Sequence, residues 1–273
     1  MLDPVSQQVL AYLNQLRAEN GVPQVYYANT GYAKFRAFYM LEHNQIRVYH
    51  EGGIPCYYFF NRMGHYHYME ENSAFTSYQG QITPNDVIEG AKRWLNEMVY
   101  NDSEYGWIHR DSLLNPCFNY ADVHVAYTSN ALYMVIAMIN ARVSWVVKPY
   151  YDGKVVRFEG RVHSGVEPTH VEIFRQVLDP RKVEGYYVYI YGDPIAGVVP
   201  EPYYFERVET IRPTEWAMNS SYVKVAFPFA PKDRGLYTIF LVGKDKRGIK
   251  WTPKSSKYPD LNSCPLMMYT VLV

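Results

Sequence analysis

Residues 63 to 72 read MGHYHYMEEN. This short run holds two imidazoles (His65, His67), two carboxylates (Glu70, Glu71) and a carboxamide (Asn72). Imidazole nitrogen and carboxylate oxygen form the donor set of a mixed site for zinc or another divalent ion, and they also serve general acid–base work. More groups of this chemistry flank the run: His43 and His50 before it, then Glu97 in RWLNEMVYND and His109 in GWIHRDSLLNP. His65 and His67 are two apart, which puts both on one side of a strand. They read first as exposed loop histidines and second as an independent metal pair, because a pair lacks the third and fourth ligands. Asn72 reads as a residue holding its turn by side-chain-to-backbone bonds. No Ser or Cys sits in a nucleophile elbow, and Cys56 and Cys117 have no motif around them. From the residues alone, Glu71, Glu97 and His109 read as paired groups that knit helices together, with a functional cleft as the alternative.

These groups are spread over several elements, so only the fold can gather them. In DPVSQQVLAYLNQLRAENGVP, Asp3 caps a helix opened by Pro4. Val5, Val9, Leu13 and Leu16 share one face, and Gly21 and Pro23 end it. GYAKFRAFYMLEHN predicts a second helix with Ala33, Ala37 and Met40 in register. A third runs from Thr83 and Pro84 through Met98, opened by a capping box of Thr83 and Asp86. ADVHVAYTSNALYMVIAMI alternates about a turn at positions 128 to 130 and predicts a β-hairpin. The fold class is α+β, with a layered αβα domain over 1–147.

Near 147 to 151 the period changes. KVVRFEGRV, HVEIFRQV, YYVYIYG, SYVKVAF, LYTIFLVG and MMYTVLV are short, alternating and turn-bounded. They predict an all-β, Ig-like sandwich over 148–273.

Composition limits the function. The chain has 273 residues, 48% of them hydrophobic, and a formal net charge of zero, which leaves room for one large domain or two ordinary ones. Charge balance argues against nucleic-acid or anionic-membrane partners, which need a sustained basic surface. The longest apolar run, ALYMVIAMI, falls far short of the roughly 20 residues that span a bilayer. MLDPVSQQ has neither the basic nor the apolar region of a signal peptide, so an intracellular protein and a mature exported form both stay open. The 28 tyrosines suit a thermostable chain or a carbohydrate-facing surface, since a phenol packs apolar area and keeps a polar edge. Cys56, Cys117 and Cys264 show no CxxC spacing and no disulfide framework.

Several of these pieces together resemble the CAP superfamily, the cysteine-rich secretory, antigen-five and pathogenesis-related group. The opening YLNQLRAENGVP with YANTGYAKFRAFYM resembles that family's first helices. EEN at 70 to 72 is similar to its GEN element, RWLNE to its Trp-x-x-Glu helix and IHRDSLLNP to its histidine segment. ADVHVAYT takes the place of its GVGVA strand. The likeness covers roughly residues 5 to 140.

The resemblance implies a central cleft that holds a divalent metal such as zinc in some members. Glu71 would match the acidic residue of the GEN element, Glu97 the helix carboxylate and His109 the second histidine. The expected first histidine falls on Val48, with His50 the nearest imidazole; Glu70 replaces the glycine, and the eukaryotic cysteine ladder is absent. The metal-ligand set implied is therefore His109, Glu71, Glu97 and His50. A surface or secreted location is implied as well, against a cytoplasmic alternative.

Three functions follow as expectations. The first is a metal-capable binding module without turnover, taking a small-molecule, lipid, peptide or glycan ligand. The second is a metal-dependent hydrolase with Glu71 or Glu97 as base and His109 in the site. The third is a structural or adhesive surface protein whose tyrosine-rich β domain meets the partner.

Overall fold

The computed structural model describes residues 2–273 apart from positions 184, 186 and 257. The chain forms two compact units, each assembled from three segments. The first takes Met1–Arg47, Met69–Ile139 and Lys250–Asp260; the second takes Val48–Tyr68, Asn140–Ile249 and Leu261–Val273. A single boundary near 147 is therefore not what the fold uses. Strand Val143–Tyr151 pairs antiparallel with Val155–Val162, and these ladder bonds carry residues 143 to 147 into the second unit.

In the first unit the helix signals act where expected. Asp3 accepts the Ser6 N–H and caps helix Pro4–Glu19, whose Val5, Val9, Leu13 and Leu16 are buried. Helix Tyr32–His43 buries Ala33, Ala37 and Met40, and also Arg36. Helix Pro84–Tyr100 opens on the reciprocal Thr83–Asp86 box. A four-stranded sheet orders Tyr26–Tyr27, Tyr120–Tyr127, Ala131–Asn140 and Tyr68–Ser77 side by side. Every residue of Ala131–Asn140 is buried, as a strand covered on both faces must be. Ala131, Tyr133 and Val135 share a core with Ala33, Ala37 and Met40 of the second helix. Leu132 points the other way, toward Gly90 of helix Pro84–Tyr100, where an added Cβ would meet its Cδ2 at 2.9 Å. Helices on both faces of one sheet make the three layers.

The second unit holds two larger sheets. One orders Glu209–Ile211, Asp193–Val198, Val166–Gln176, Leu236–Asp245 and Cys264–Leu272; the other orders Glu215–Met218, Tyr222–Pro228, Val155–Val162 and Val143–Tyr151. Phe158, Val225 and Phe227 from one sheet, and Ile173, Ile239 and Leu241 from the other, lie in a single core. Besides the expected β range, the unit contains helix Cys56–Arg62, and one of its strand pairs, Asp193–Val198 with Glu209–Ile211, runs parallel.

Positions 187 to 192 of the expected strand YYVYIYG form no strand, and position 186 lies outside the described residues. Phenols take the backbone groups there: the Ile190 N–H donates to Tyr49 Oη at 3.2 Å, and Tyr57 Oη donates to the Ile190 carbonyl at 3.4 Å. Cys117 and Cys264, whose spacing held no sign of a bridge, are disulfide-bonded, and Cys56 is a buried thiol.

Candidate functional site

Strand Tyr68–Ser77 of the four-stranded sheet contains the EEN element, so those residues form a strand and not a turn. Successive side chains on a strand point to opposite faces. Glu71, Ser73 and Phe75 face helix Tyr32–His43: Phe75 lies 4.8 Å from the Tyr133 ring, and Glu71 meets Arg36. Asn72 and Thr76 face the other helices, through Ser112 of helix Ile108–Leu114 and Trp94 of helix Pro84–Tyr100. The pleat thus places Glu71 on one face and the helices bearing Glu97 and His109 on the opposite one.

On its face Glu71 is sealed. Arg36 Nε donates to Oε2 at 2.8 Å and Nη2 to Oε1 at 3.0 Å; Tyr32 Oη adds 2.6 Å and Ser73 Oγ 2.9 Å. Both charged side chains are buried, 0% and 1% exposed. Burial opposes ionisation of Glu71, but the Arg36 charge and the bonds from Arg36, Tyr32 and Ser73 outweigh it and hold the carboxyl below its ordinary value. The Arg36 guanidinium also donates to the Arg47 carbonyl. The sequence did carry a sign of this pair: Arg36 sits among Ala33, Ala37 and Met40 on the buried stripe, and a cation there demands a partner.

The opposite face is a network of hydroxyls, amides and carboxylates. Glu70 accepts Tyr258 Oη at 2.6 Å, and Asn115 Nδ2 donates to the same hydroxyl at 3.3 Å. Buried Asn72 donates to Ser112 Oγ at 2.9 Å. Asp111, fully buried, accepts the backbone N–H groups of Lys254 at 3.0 Å and Ser255 at 2.7 Å, along with Arg110 Nη1 at 2.9 Å. Lys254 Nζ lies 3.9 Å from the centre of the Trp107 ring. The segment Lys250–Asp260 is thereby strapped onto this face.

Beside it, Asp102 is buried and supports the start of helix Ile108–Leu114 by accepting the His109 and Arg110 N–H groups at 2.8 and 3.1 Å. Its Oδ1 also meets His109 Nδ1 at 2.7 Å, an arrangement that orients the imidazole and presents Nε2. The His109 side chain is 15% exposed. Arg17, fully buried, donates to the carbonyls of Leu113 and Asn115 and pins the end of the same helix. Arg110 pairs with Asp111, whose side chain is fully buried.

The expected ligand set is not gathered. Glu71 is committed to Arg36. Glu97 is exposed on its helix and accepts Asn101 Nδ2 at 3.0 Å. His109 is paired with Asp102. Val48 and His50 belong to the second unit, where the buried His50 ring packs tilted against Phe59 with centroids 4.0 Å apart. His43 contacts the Tyr39 carbonyl through Nδ1 at 2.7 Å. His65 and His67, also in the second unit, are half-buried rather than exposed: one stacks on Phe60 at 5.0 Å, the other on Trp145 at 6.2 Å. Among the described residues no group of three or more His, Cys, Asp or Glu side chains is arranged to hold a metal ion. The residues present do not fit a His/Glu tetrad.

Asp102, Asp111 and Tyr258 were not legible as site residues. Asp102 and Asp111 precede or enter a helix too short to predict, and Tyr258 reaches Glu70 across 188 positions.

The first unit therefore defines a class, a three-layer helix–sheet–helix domain with one sealed ionic face and one polar, strapped face. No family model and no curated protein matches the chain. Among solved structures, the chain is similar to the CAP domain of Enterococcal PrgA at 18% identity and a TM-score of 0.38, over 50% of this chain and 60% of that one. No helix among the described residues is long and apolar enough to cross a membrane.

Proposed function

We propose that this chain is a CAP-like surface or secreted binding protein without turnover, its first unit a scaffold and its second unit the ligand-meeting module. The CAP-like part of the reading is supported by the order of motifs in the sequence and by the three layers. The observation that carries the binding role is a fastened aromatic pair in the second unit. Tyr203 and Tyr204 are 67% and 68% exposed on a loop held from below. Arg212 Nη1 donates to the carbonyls of Pro200 and Tyr203. The Phe205 N–H donates to Thr210 Oγ1 at 2.7 Å, and the Phe205 ring fills the space above Gly197, where a Cβ would lie 1.9 Å from it. Rigid exposed phenols give contact area at low entropic cost and suit stacking on sugar rings. Glycans of a cell envelope are the ligand class. The disulfide-bonded Cys117 and Cys264 favour an oxidising compartment.

Co-sedimentation of the full chain with purified envelope glycans tests this. Binding should weaken about tenfold or more in Tyr203→Ser/Tyr204→Ser; equal binding by both proteins, or none by either, removes the reading. A second reading, hydrolysis, has one observation in its favour: the Asp102-oriented His109, whose Nε2 can accept a proton. A substrate screen in which wild type and His109→Ala are equally inert would eliminate it.

A further inference from the structure

Two Asn-x-Ser triplets occur in the chain, Asn101-Asp102-Ser103 and Asn219-Ser220-Ser221. This pattern is the acceptor sequence for an N-linked glycan when its asparagine lies on an accessible loop. The fold treats the two triplets differently.

In the second unit, Asn219, Ser220 and Ser221 form the tip of the hairpin between strands Glu215–Met218 and Tyr222–Pro228, and all three are exposed. The backbone of the tip is anchored from the sheet side. The Asn219 N–H donates to the Tyr222 carbonyl at 2.9 Å, and the Val162 N–H donates to the Ser221 carbonyl at 2.9 Å. Asn219 Oδ1 accepts the Ser221 N–H at 2.9 Å, the Tyr222 N–H at 3.0 Å and Ser221 Oγ at 2.9 Å. Two backbone donors can meet only an oxygen, so these bonds fix the orientation of the amide and turn Nδ2 to the other side. Among the described residues Nδ2 has no hydrogen-bond partner, and Nδ2 is the atom that carries the sugar. The hydroxyl that the pattern requires at its third position is seated on the acceptor amide.

The other triplet, in the first unit, is committed elsewhere. Asn101 Nδ2 donates to Glu97 Oε2 at 3.0 Å. The middle residue, Asp102, is buried and accepts the His109 and Arg110 N–H groups. Ser103 belongs to the short 3-10 helix Asp102–Tyr105, and among the described residues no bond joins its hydroxyl to the Asn101 amide. Entry of this triplet into an enzyme's groove would break the bonds of a buried carboxylate. Entry of the hairpin tip disturbs only bonds at the surface.

We propose that Asn219 is the acceptor of an N-linked oligosaccharide and that Asn101 is not. The donor is an oligosaccharide on a lipid diphosphate, and the catalyst is a separate transferring enzyme. Asn219 Nδ2 bonds to the anomeric carbon of the first sugar as the bond from that carbon to the diphosphate oxygen breaks. The lipid diphosphate leaves with the electron pair, and one Nδ2 proton passes to a base of the enzyme. The proposal rests on the surface or secreted part of the function proposed above, because the transfer takes place on exported chains. It is independent of any ligand at the Tyr203–Tyr204 loop.

The full chain secreted from yeast behind a removable export leader tests it, read by intact mass and peptide mapping. Supplying the leader separates failure of the site from failure of the exported reading. Wild type should show a mass increase in hexose steps that peptide N-glycosidase removes, and the mapped position should be Asn219. Asn219→Gln and Ser221→Ala should each lose the increase. Ser221→Ala keeps the backbone bonds to Oδ1, so its loss reports the hydroxyl and not the turn. Ser221→Thr should retain the glycan, and Asn101→Gln should match wild type. An Asn219 peptide without sugar, a glycan that survives Asn219→Gln, or a glycan on Asn101 overturns the proposal. Should the variants not be secreted, the wild-type map decides: the glycosidase should leave aspartate at position 219, and an unmodified asparagine there overturns the site.

Discussion

Glu70 and Glu71 are adjacent in the chain and serve opposite faces of the four-stranded sheet, and the two faces differ in kind. The Glu71 face is dry and ionic: one carboxylate, one guanidinium, both buried. The Glu70 face is a polar network of hydroxyl, amide and backbone partners that also holds the Asp111–Arg110 ion pair, with Asp102 and His109 at its margin. A buried ion pair is costly to break but contributes little over an apolar replacement. A hydroxyl–carboxylate network is worth a modest amount per bond and depends on the segment that supplies the partners. The lesson is that a run of acidic residues on a strand names two environments, and the pleat decides which residue enters each.

The largest effect should come from the sealed face. Arg36→Met leaves Glu71 buried without its cation and should cost about 3–5 kcal/mol by chemical denaturation. The double variant Arg36→Met/Glu71→Leu should recover most of that; equal losses in single and double variants would break the contrast between the faces. Glu71 is held below its ordinary pKa, so its contribution is present above about pH 4.3 and is lost as pH falls below that value.

Next comes the strap. Asp111→Asn weakens two bonds to backbone N–H groups and should cost about 1.5–3 kcal/mol, with faster hydrogen exchange at Lys254 and Ser255. Unchanged exchange would mean the strap is held by something else.

The second unit offers a pH window that separates it from the ionic face. Burial, with smaller effects from His65 and His163, lowers His67 to about 4. The unfolded chain therefore takes up a proton that the folded one refuses, and stability falls as pH drops from about 6.5 toward 4. At about pH 5 the loss should be roughly 1–2 kcal/mol, and His67→Gln should abolish it. The smallest effect is Tyr258→Phe, which removes the hydroxyl from Glu70 at about 0.5–1.5 kcal/mol and should leave the Arg36 variants' losses unchanged.

Local signals were readable because local physics sets them. Asp3 and Pro4, the Thr83–Asp86 box, and the alternation around positions 128 to 130 each act within a few residues, and each element lies where its signal put it. Strand Tyr68–Ser77 was misread because its run of polar residues carries no apolar alternation: both of its faces are buried against polar partners. Helices Cys56–Arg62 and Ile108–Leu114 are seven residues each, too short for a period to show. The resemblance placed Glu71, Glu97, His109 and His50 in one cleft, whereas each has a different neighbour in the fold.

The sequence alone determined the starts and stops of the three longer helices, the hairpin, five strands of the second unit and the presence of a cation on a buried stripe. These follow from backbone sterics, capping and the period of apolar residues, all short-range. Only the tertiary structure decided that the chain crosses between its two units five times, that Glu71 belongs to Arg36, and that Tyr258 and Asp111 hold one strap. Those outcomes depend on which distant segments win the competition to bury the same surface, and no window of neighbouring residues contains that comparison.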